Sequence, residues 1–589
     1  MQVKKGIPVS PGVAIYPVVV LDAVDRRIPR RTVTRALIVR EHERLEKALD
    51  ASTKEIERLR DQTAESLGKF SQIFSAHIAM LDDPHVIGQI REMINNDRVT
   101  AEYAVYAVMR QFTQAFLQHE NKFLRDRASD VRDLEHRILR QLIGHTHSDI
   151  EHLEQQSIVI AHDLTPSQTA ALDTTKIRAI ATDAGGRTSH TAILAHALGI
   201  PAIVGLEEVT RLVSTGETAI IDGNRGLVVI DPDAERIMEY RQEERRFAAF
   251  EDTLGQLKAL PAVTQDGTDI NLQANIEFPT EIPETLANGA TGVGLYRTEF
   301  LFLATDSQPT EQEQFESYCR VIKALDGRPL TIRTLDLGAD KIGRSLSALN
   351  GENAERNPFL GCRSIRMCLQ NLPLFKTQLR AILRASVNGP LRIMFPLISN
   401  IMELRQARMI LGDVMEDLQD QGIPFRENIP VGIMIEVPSA ALQARVFARE
   451  VDFFSIGTND LIQYTVAVDR GNERIASLYS AAHPAVLELV RQVIQVADQA
   501  NMEVSLCGEM AGEPEFAMLL IGLGLRNLSI TPPAIPEIKK IIRSVSIDQC
   551  RHIARKANSF DSDREIISYL RGEVSKVLPE AFASSSITF

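Results

Sequence analysis

After Pro261 the chain carries eight short apolar runs, near Asn271–Asn275, Gly292–Tyr296, Leu330–Thr334, Arg392–Pro396, Val431–Ile435, Phe453–Ile456, Val504–Leu506 and Leu528–Ile530. A helical pattern separates each run from the next. Strands joined by helical crossovers lie parallel, because each crossover returns the chain to the same end of the sheet. Eight such units over roughly 300 residues fit a closed (β/α)8 barrel. An open doubly wound sheet is the competing arrangement.

The residues before Pro261 have another texture. Short strands fill the first twenty, with a turn at Ser10-Pro11-Gly12. Then Ile38, Leu45, Leu49, Ser52, Ile56 and Leu59 recur in steps of seven, four, three, four and three. That period is a helix packed along its length. Asp82-Asp83-Pro84 breaks the pattern, and a further helix spans Thr100 to Leu117. Another follows Ser129, with Val131, Leu134, Ile138 and Leu142 on one face, and stops at Gly144. Strands return at Ser157–Ala161, Ile177–Thr182, Thr218–Ile221 and Gly226–Ile230, with a short helix over Ser189–Leu198 among them. The N-terminal strands are expected to complete this sheet, which makes the helical block an insertion. Asp233–Leu260 is charged, helix-prone and ends at Pro261. The expected organisation is an α/β domain over 1–35 and 145–232, an inserted helical subdomain over 36–144, a linker helix over 233–261 and a barrel over 262–575.

Composition bears on partners and compartment. The formal net charge of −13 argues against wrapping nucleic acid or coating an anionic membrane. No apolar run approaches the roughly 18 residues of a membrane span. Lys4 and Lys5 precede an apolar stretch as in a signal peptide, but Pro8, Pro11 and Pro17 interrupt it, so a cytoplasmic protein is expected. The five cysteines are odd in number and form no CxxC pair, which disfavours a disulfide framework or a structural zinc site.

The chemistry gathers at the ends of the barrel runs, where such folds place it. The second run leads into Arg297-Thr298-Glu299, and the third carries Arg333 and ends at Asp336. The fifth ends at Glu436. The sixth runs into Gly457-Thr458-Asn459-Asp460, with Arg470 ten residues on, and the seventh ends at Cys507-Gly508-Glu509. Arg297, Arg333 and Arg470 offer planar forks that match phosphate or carboxylate oxygens. Glu436 and Asp460 are hard oxygen ligands of the kind Mg²⁺ accepts, and the Asn459 amide can donate to a carboxylate. Such a set suits a small substrate carrying both phosphate and carboxylate. Two plainer readings stand beside it: rim acids and arginines paired with one another, and Cys507 as a small buried hydrophobe. At this mouth its thiol could also protonate a carbanion or enolate.

A second cluster is Gly185-Gly186-Arg187-Thr188-Ser189-His190-Thr191. A glycine turn followed by a capping hydroxyl puts His190 at a helix N-terminus, where an anion on its ring would be stabilised. Neutral imidazole is also a nucleophile. A cap or core histidine is the plainer reading. His190 and His196 point about 240° apart on a helix, which disfavours a shared metal. No GxxxxGK[ST] phosphate loop occurs.

The strings GGRTSHTAILAHALGIPAIVG (Gly185–Gly205), DLTPSQTA (Asp163–Ala170), GATGVGLYRTEFLF (Gly289–Phe302), NPFLGCRSIR (Asn357–Arg366), VDFFSIGTNDLIQYTVAVDRGN (Val451–Asn472) and LCGEMAG (Leu506–Gly512) resemble the phosphoenolpyruvate-utilising enzymes. Within them they resemble the enzyme I family of the phosphoenolpyruvate:sugar phosphotransferase system, over essentially the whole chain. The resemblance implies a swivelling phosphohistidine domain with an inserted helical subdomain that binds the phosphocarrier protein HPr, followed by a TIM barrel that dimerises. It implies that His190 is phosphorylated on Nε2. It also implies that Arg297, Arg333, Arg470, Asn459 and the backbone at Asp460 bind phosphoenolpyruvate, and that Glu436 and Asp460 hold Mg²⁺. Arg363 then helps neutralise the moving phosphoryl group, and Cys507 protonates enolpyruvate to pyruvate. Ala339 stands where the family often has the second glycine of a GGDK motif, and Cys362 where it often has an aromatic. A sensor that binds phosphoenolpyruvate without turnover and a regulatory rather than sugar relay are the alternative readings. The short lead from Met1 to SPGVA favours the sugar system.

Overall fold

The structure is a computed structural model that describes residues 1–10, 12–21, 28–63, 78, 80–81, 83–117, 128–143, 155–164, 176–186, 195, 200–303, 308–337, 357–470, 472, 475 and 478–579. The chain forms two compact units, one ending at Ala249 and one starting at Phe250.

The first unit is built on a mixed eight-stranded sheet: β1 (Gln2–Lys5), β2 (Ile7–Ser10), β3 (Val13–Leu21), β4 (Ser157–Ala161), β5 (Ile177–Thr182), β6 (Ala202–Val204), β7 (Thr218–Asp222) and β8 (Leu227–Ile230). Their order is β1-β8-β7-β3-β4-β5-β6-β2. β3 pairs in parallel with β4, Val18 opposite Ile158 through Leu21 opposite Ala161. Neighbours in the sheet are therefore separated in sequence by the helical block, which is an insertion between them. Along β4 the apolar side chains alternate between two cores, Ile158 and Ile160 on one face and Val159 and Ala161 on the other. A sheet covered on both faces needs such a continuous apolar strand. β6 was not anticipated, and the expected Ser189–Leu198 helix lies outside the described residues apart from Ala195, which is helical and buried.

The insertion contains α1 (Ile38–Thr63), α2 (Pro84–Asp97), α3 (Ala101–Leu117) and α4 (Ala128–Ile143). Leu45, Leu49, Ser52 and Ile56 of α1 are buried, as are Val131, Leu134, Ile138 and Leu142 of α4. The stripes read from spacing do pack together, in one core. A buried carboxylate adds direction to this packing. Glu41 of α1 accepts from the Ala101 N–H at the start of α3 (2.9 Å) and pairs with Arg44 (2.7 Å), which also donates to Leu142 O (3.1 Å). One charge pair thereby satisfies a helix N-terminus and a helix C-terminus.

α5 (Ala234–Leu257) leads into the second unit. There β9 (Asn271–Ile276), β10 (Val293–Arg297), β11 (Leu330–Arg333), β12 (Leu391–Phe395), β13 (Val431–Ile435), β14 (Phe453–Ile456), β15 (Glu503–Leu506) and β16 (Asn527–Ile530) close into a barrel. All eight pairings are parallel, and β16 closes on β9 with Asn527 opposite Asn271. This is the TIM barrel, not the open sheet. The outward residues Leu272, Ala274 and Ile276 of β9 join the large core under the surrounding helices, while Leu295, Met394, Met434, Phe453 and Cys507 form a separate small core in the barrel interior. Gly432 makes room for it, since a Cβ there would lie 2.5 Å from the Phe453 ring. Among the outer helices are α6 (Glu311–Leu325), α7 (Leu372–Ala385) and α8 (Thr458–Val466). Among the described residues no helix is long and apolar enough to cross a membrane.

Candidate active site

Three carboxylates converge at the C-terminal end of the barrel. Asp336 follows β11, Glu436 follows β13, and Asp460 lies in the first turn of α8. One oxygen from each lies within 4.8 Å of the others. Glu436 is fully buried, and its Oε1 accepts from the Leu397 N–H at 2.6 Å. Burial pushes its carboxyl well above the usual range, and the charges of Asp336 and Asp460 push the same way. Burial also raises Asp460, with Arg363 pulling the other way. Buried acids crowded together want a cation, and three hard oxygens fit a divalent ion such as Mg²⁺.

The arginines are arranged around these acids. Arg333 is buried, and its fork is shared: one terminal nitrogen meets Asp336 and the other meets Glu299, both at 2.9 Å. Glu299 Oε1 also accepts from the Asp336 N–H (3.1 Å), so it braces both ends of the Arg333–Asp336 turn. Arg363 reaches the second oxygen of Asp336 at 2.9 Å and lies 3.6 Å from Asp460. Burial opposes ionisation of Asp336, but Arg333 and Arg363 outweigh it and hold its pKa at about 2. Both oxygens of Asp336 are thus engaged by arginines. Glu436 and Asp460 have more freedom to bind an ion. Among the described residues the buried Arg333 Nε has no hydrogen-bond partner. A donor left unpaired at such a depth is suited to a ligand oxygen.

Arg297 is half-buried and pairs with Glu277 (3.1 Å). Asn459 and Glu509 bind reciprocally: Asn459 Nδ2 donates to Glu509 Oε1, and the Glu509 N–H to Asn459 Oδ1, both at 2.9 Å. Arg470 lies 3.6 Å from Glu509. Cys507 is buried just past β15, and burial pushes its thiol pKa up, while Ser455 works in the opposite direction. The charges of Arg333, Glu436 and Arg297 all reach it. A thiol kept protonated beside cations can act as a proton donor.

The barrel thus gathers Arg333, Arg363, Glu436, Asp460 and Cys507 closely, with Asn459 and Arg470 joined through Glu509. His190 lies outside the described residues, as does Ala339. The chain leading toward His190 is described as far as Gly186: Thr182 Oγ1 donates to Ala184 O (2.7 Å), and Gly185 has φ +105°. That backbone angle favours glycine, so the turn read from sequence has its physical reason. Sequence reasoning placed Asp336, Glu299 and Glu509 at strand ends but gave them no role. The signal was their spacing, three residues beyond Arg333 and two beyond Arg297 and Cys507.

Fold and site together define a parallel β/α barrel with arginines and carboxylates gathered at its strand ends. The chain belongs to the phosphoenolpyruvate-utilising enzyme family: residues 5–127 match the N-terminal model, 153–226 the mobile-domain model and 251–547 the phosphoenolpyruvate-binding-domain model. It is 42% identical over 567 residues to a phosphoenolpyruvate-protein phosphotransferase of Geobacillus stearothermophilus, covering 96% of this chain and 97% of that one. A protein of the same name from Listeria monocytogenes is 42% identical over 564 residues, covering 96% and 98%. One from Staphylococcus aureus is 40% identical over 571 residues, covering 97% and 99%.

Proposed function

We propose that this chain is a phosphoenolpyruvate-protein phosphotransferase. In this reading it moves the phosphoryl group of phosphoenolpyruvate to its own His190 and then to a histidine of HPr, releasing pyruvate and driving sugar uptake. The name shared by its relatives and the three family matches support the reading. The observation that carries it is the buried Arg333–Asp336–Arg363 bridge beside Glu436 and Asp460. Two cations and an unpaired Arg333 Nε suit the phosphate, while Arg297, Arg470 and Asn459 suit the remaining oxygens.

Glu436 and Asp460 would hold Mg²⁺, which when bound neutralises charge on substrate oxygens. Arg333 and Arg363 stabilise the phosphoryl group as its bond to the enol oxygen breaks and a bond to His190 Nε2 forms. Cys507 gives its proton to C3 of the enolate, which becomes pyruvate, and the thiolate regains a proton from water. The barrel site and His190 belong to different units, so the cycle requires the two to approach and separate. The helical insertion serves as the docking face for HPr, and the protein works in the cytoplasm as a homodimer through its barrel. Exposed Met402, Met409 and Leu442 on the outer helices suit that contact.

The test is incubation with phosphoryl-labelled phosphoenolpyruvate and Mg²⁺, followed by addition of HPr. Acid-labile label should appear on the chain, pass to HPr, and be absent from the H190A variant. If that variant still passes label to HPr, the role of His190 is wrong; if the native chain takes none, so is the activity.

A further inference from the structure

We infer that Asn275, held by Ser529, is the positioning residue that aims the Cys507 thiol; this rests on the reading of Cys507 as proton donor. The β15–β16 ladder ends at Leu506 opposite Leu528. Cys507 lies one residue beyond it, so strand pairing leaves its carbonyl without a partner. A buried carbonyl in that state destabilises the fold unless a side chain replaces the ladder bond. Asn275, near the C-terminal end of β9, supplies it: Nδ2 donates to Cys507 O at 3.0 Å, reaching past β16. A carbonyl only accepts, so the amide nitrogen must face Cys507 and Oδ1 must face away. There the buried Ser529 hydroxyl donates to Oδ1 at 2.7 Å. Ser529 therefore fixes which way the amide is turned.

On its other side, the Cys507 N–H donates to Ile456 O at 3.0 Å. The peptides flanking its Cα are thus held by β14 and by a side chain of β9, which sets the direction of Cβ, and Sγ lies 3.6 Å from Ile456 O on β14. The next two residues leave little slack. A Cβ on Gly508 would collide with Thr458 Oγ1, and Glu509 is bound reciprocally to Asn459. The rigidity has a chemical use. An enolate is planar, and a proton delivered to one face of C3 must come from a donor fixed on that side. In the step, S–H breaks, C3–H forms, the C2=C3 electrons make the new bond as the enolate oxygen becomes the carbonyl, and water reprotonates the thiolate. Enolpyruvate that escapes this donor ketonises in solution with no facial preference.

The test uses the full chain with Mg²⁺ and phosphoenolpyruvate bearing deuterium and tritium at C3 in one geometric configuration. Two readouts are taken in a single turnover: phosphoryl label on the chain, and configuration of the pyruvate methyl group. N275A should keep phosphoryl uptake within about threefold, slow protonation about 100-fold, as general-acid loss does, and give a nearly racemic methyl. S529A, which frees the amide to turn, should give a smaller loss of selectivity. A merely structural role would depress uptake and leave the configuration intact. Native selectivity in N275A, or equal loss of uptake and selectivity in both variants, overturns the inference. If N275A does not fold, S529A decides it: reduced selectivity supports the inference, and full selectivity overturns it. A native chain that takes no label instead refutes the phosphotransferase reading.

Discussion

Two neighbouring carboxylates should respond to neutralisation in opposite ways. Glu436 is buried, repelled by Asp336 and Asp460, and relieved by Arg333 and the Leu397 N–H. Without a bound ion its charge destabilises the fold. E436Q should therefore raise the unfolding free energy of the metal-free protein by about 1–2 kcal/mol. Urea titrations with and without Mg²⁺ check this, because binding to the native state adds stability by mass action. Mg²⁺ should stabilise the native chain and leave E436Q unmoved; equal stabilisation of both would remove Glu436 from the ligand set. Asp336 is the reverse case. Its charge is held by Arg333 and Arg363 at 2.9 Å each. D336N leaves two buried guanidinium groups short of an anion and should lower stability by about 3 kcal/mol or more.

At the scale of elements, helix packing around the barrel is reinforced by charge. Glu311, in the first turn of α6, accepts from Arg380 Nε (2.8 Å) and Arg384 Nη1 (2.6 Å), both on α7. Burial alone would raise this carboxyl, but the hydrogen bonds from Arg380 and Arg384 prevail and hold it below its ordinary 4.5. A depressed acid contributes stability that is complete above the unfolded pKa and lost as pH falls through the folded one. E311Q should therefore cost about 1 kcal/mol at pH 7, and its deficit should shrink below about pH 4. Paired urea titrations at the two pH values check this; a gap independent of pH would mean the contact is not ionic. The elements themselves were largely legible. The barrel strands announced themselves as apolar runs between helical stretches, and the α1 stripe by its period, down to the buried Ser52. β6 escaped because three residues after Pro201 carry no period, and its place is set by pairing with β5, Ile180 opposite Ala202. The site was legible as a set of strand-end acids and arginines. Which acid holds which arginine was not, since Glu299, Arg333 and Arg363 come from different stretches of chain that only the closed barrel brings together.

At the scale of the whole molecule, α5 belongs to both units. Its Tyr240 is fully buried with Val13, Ile220 and Val229 of the sheet, and its hydroxyl donates to Asp222 at 3.4 Å. Its Phe250 and Leu254 join the barrel core instead, and Lys540 Nζ lies 4.6 Å from the Phe250 ring centroid. Just beyond the helix, Lys539 donates to Lys258 O at 2.8 Å, fixing the chain where it enters the barrel. The helix is therefore more than a tether, and the barrel should not reach full stability without its C-terminal half. A fragment beginning at Ala234 should fold as a complete barrel. One beginning at Ala262 loses the packing of two large apolar side chains and should be less stable by about 4 kcal/mol or more, read from urea midpoints. Equal midpoints would show that the helix contributes nothing to the barrel. If the difference appears, the chain is anchored at Tyr240 on one side and Phe250 on the other. On the proposed transfer to His190, the approach and separation of the units is then taken up in the residues between them.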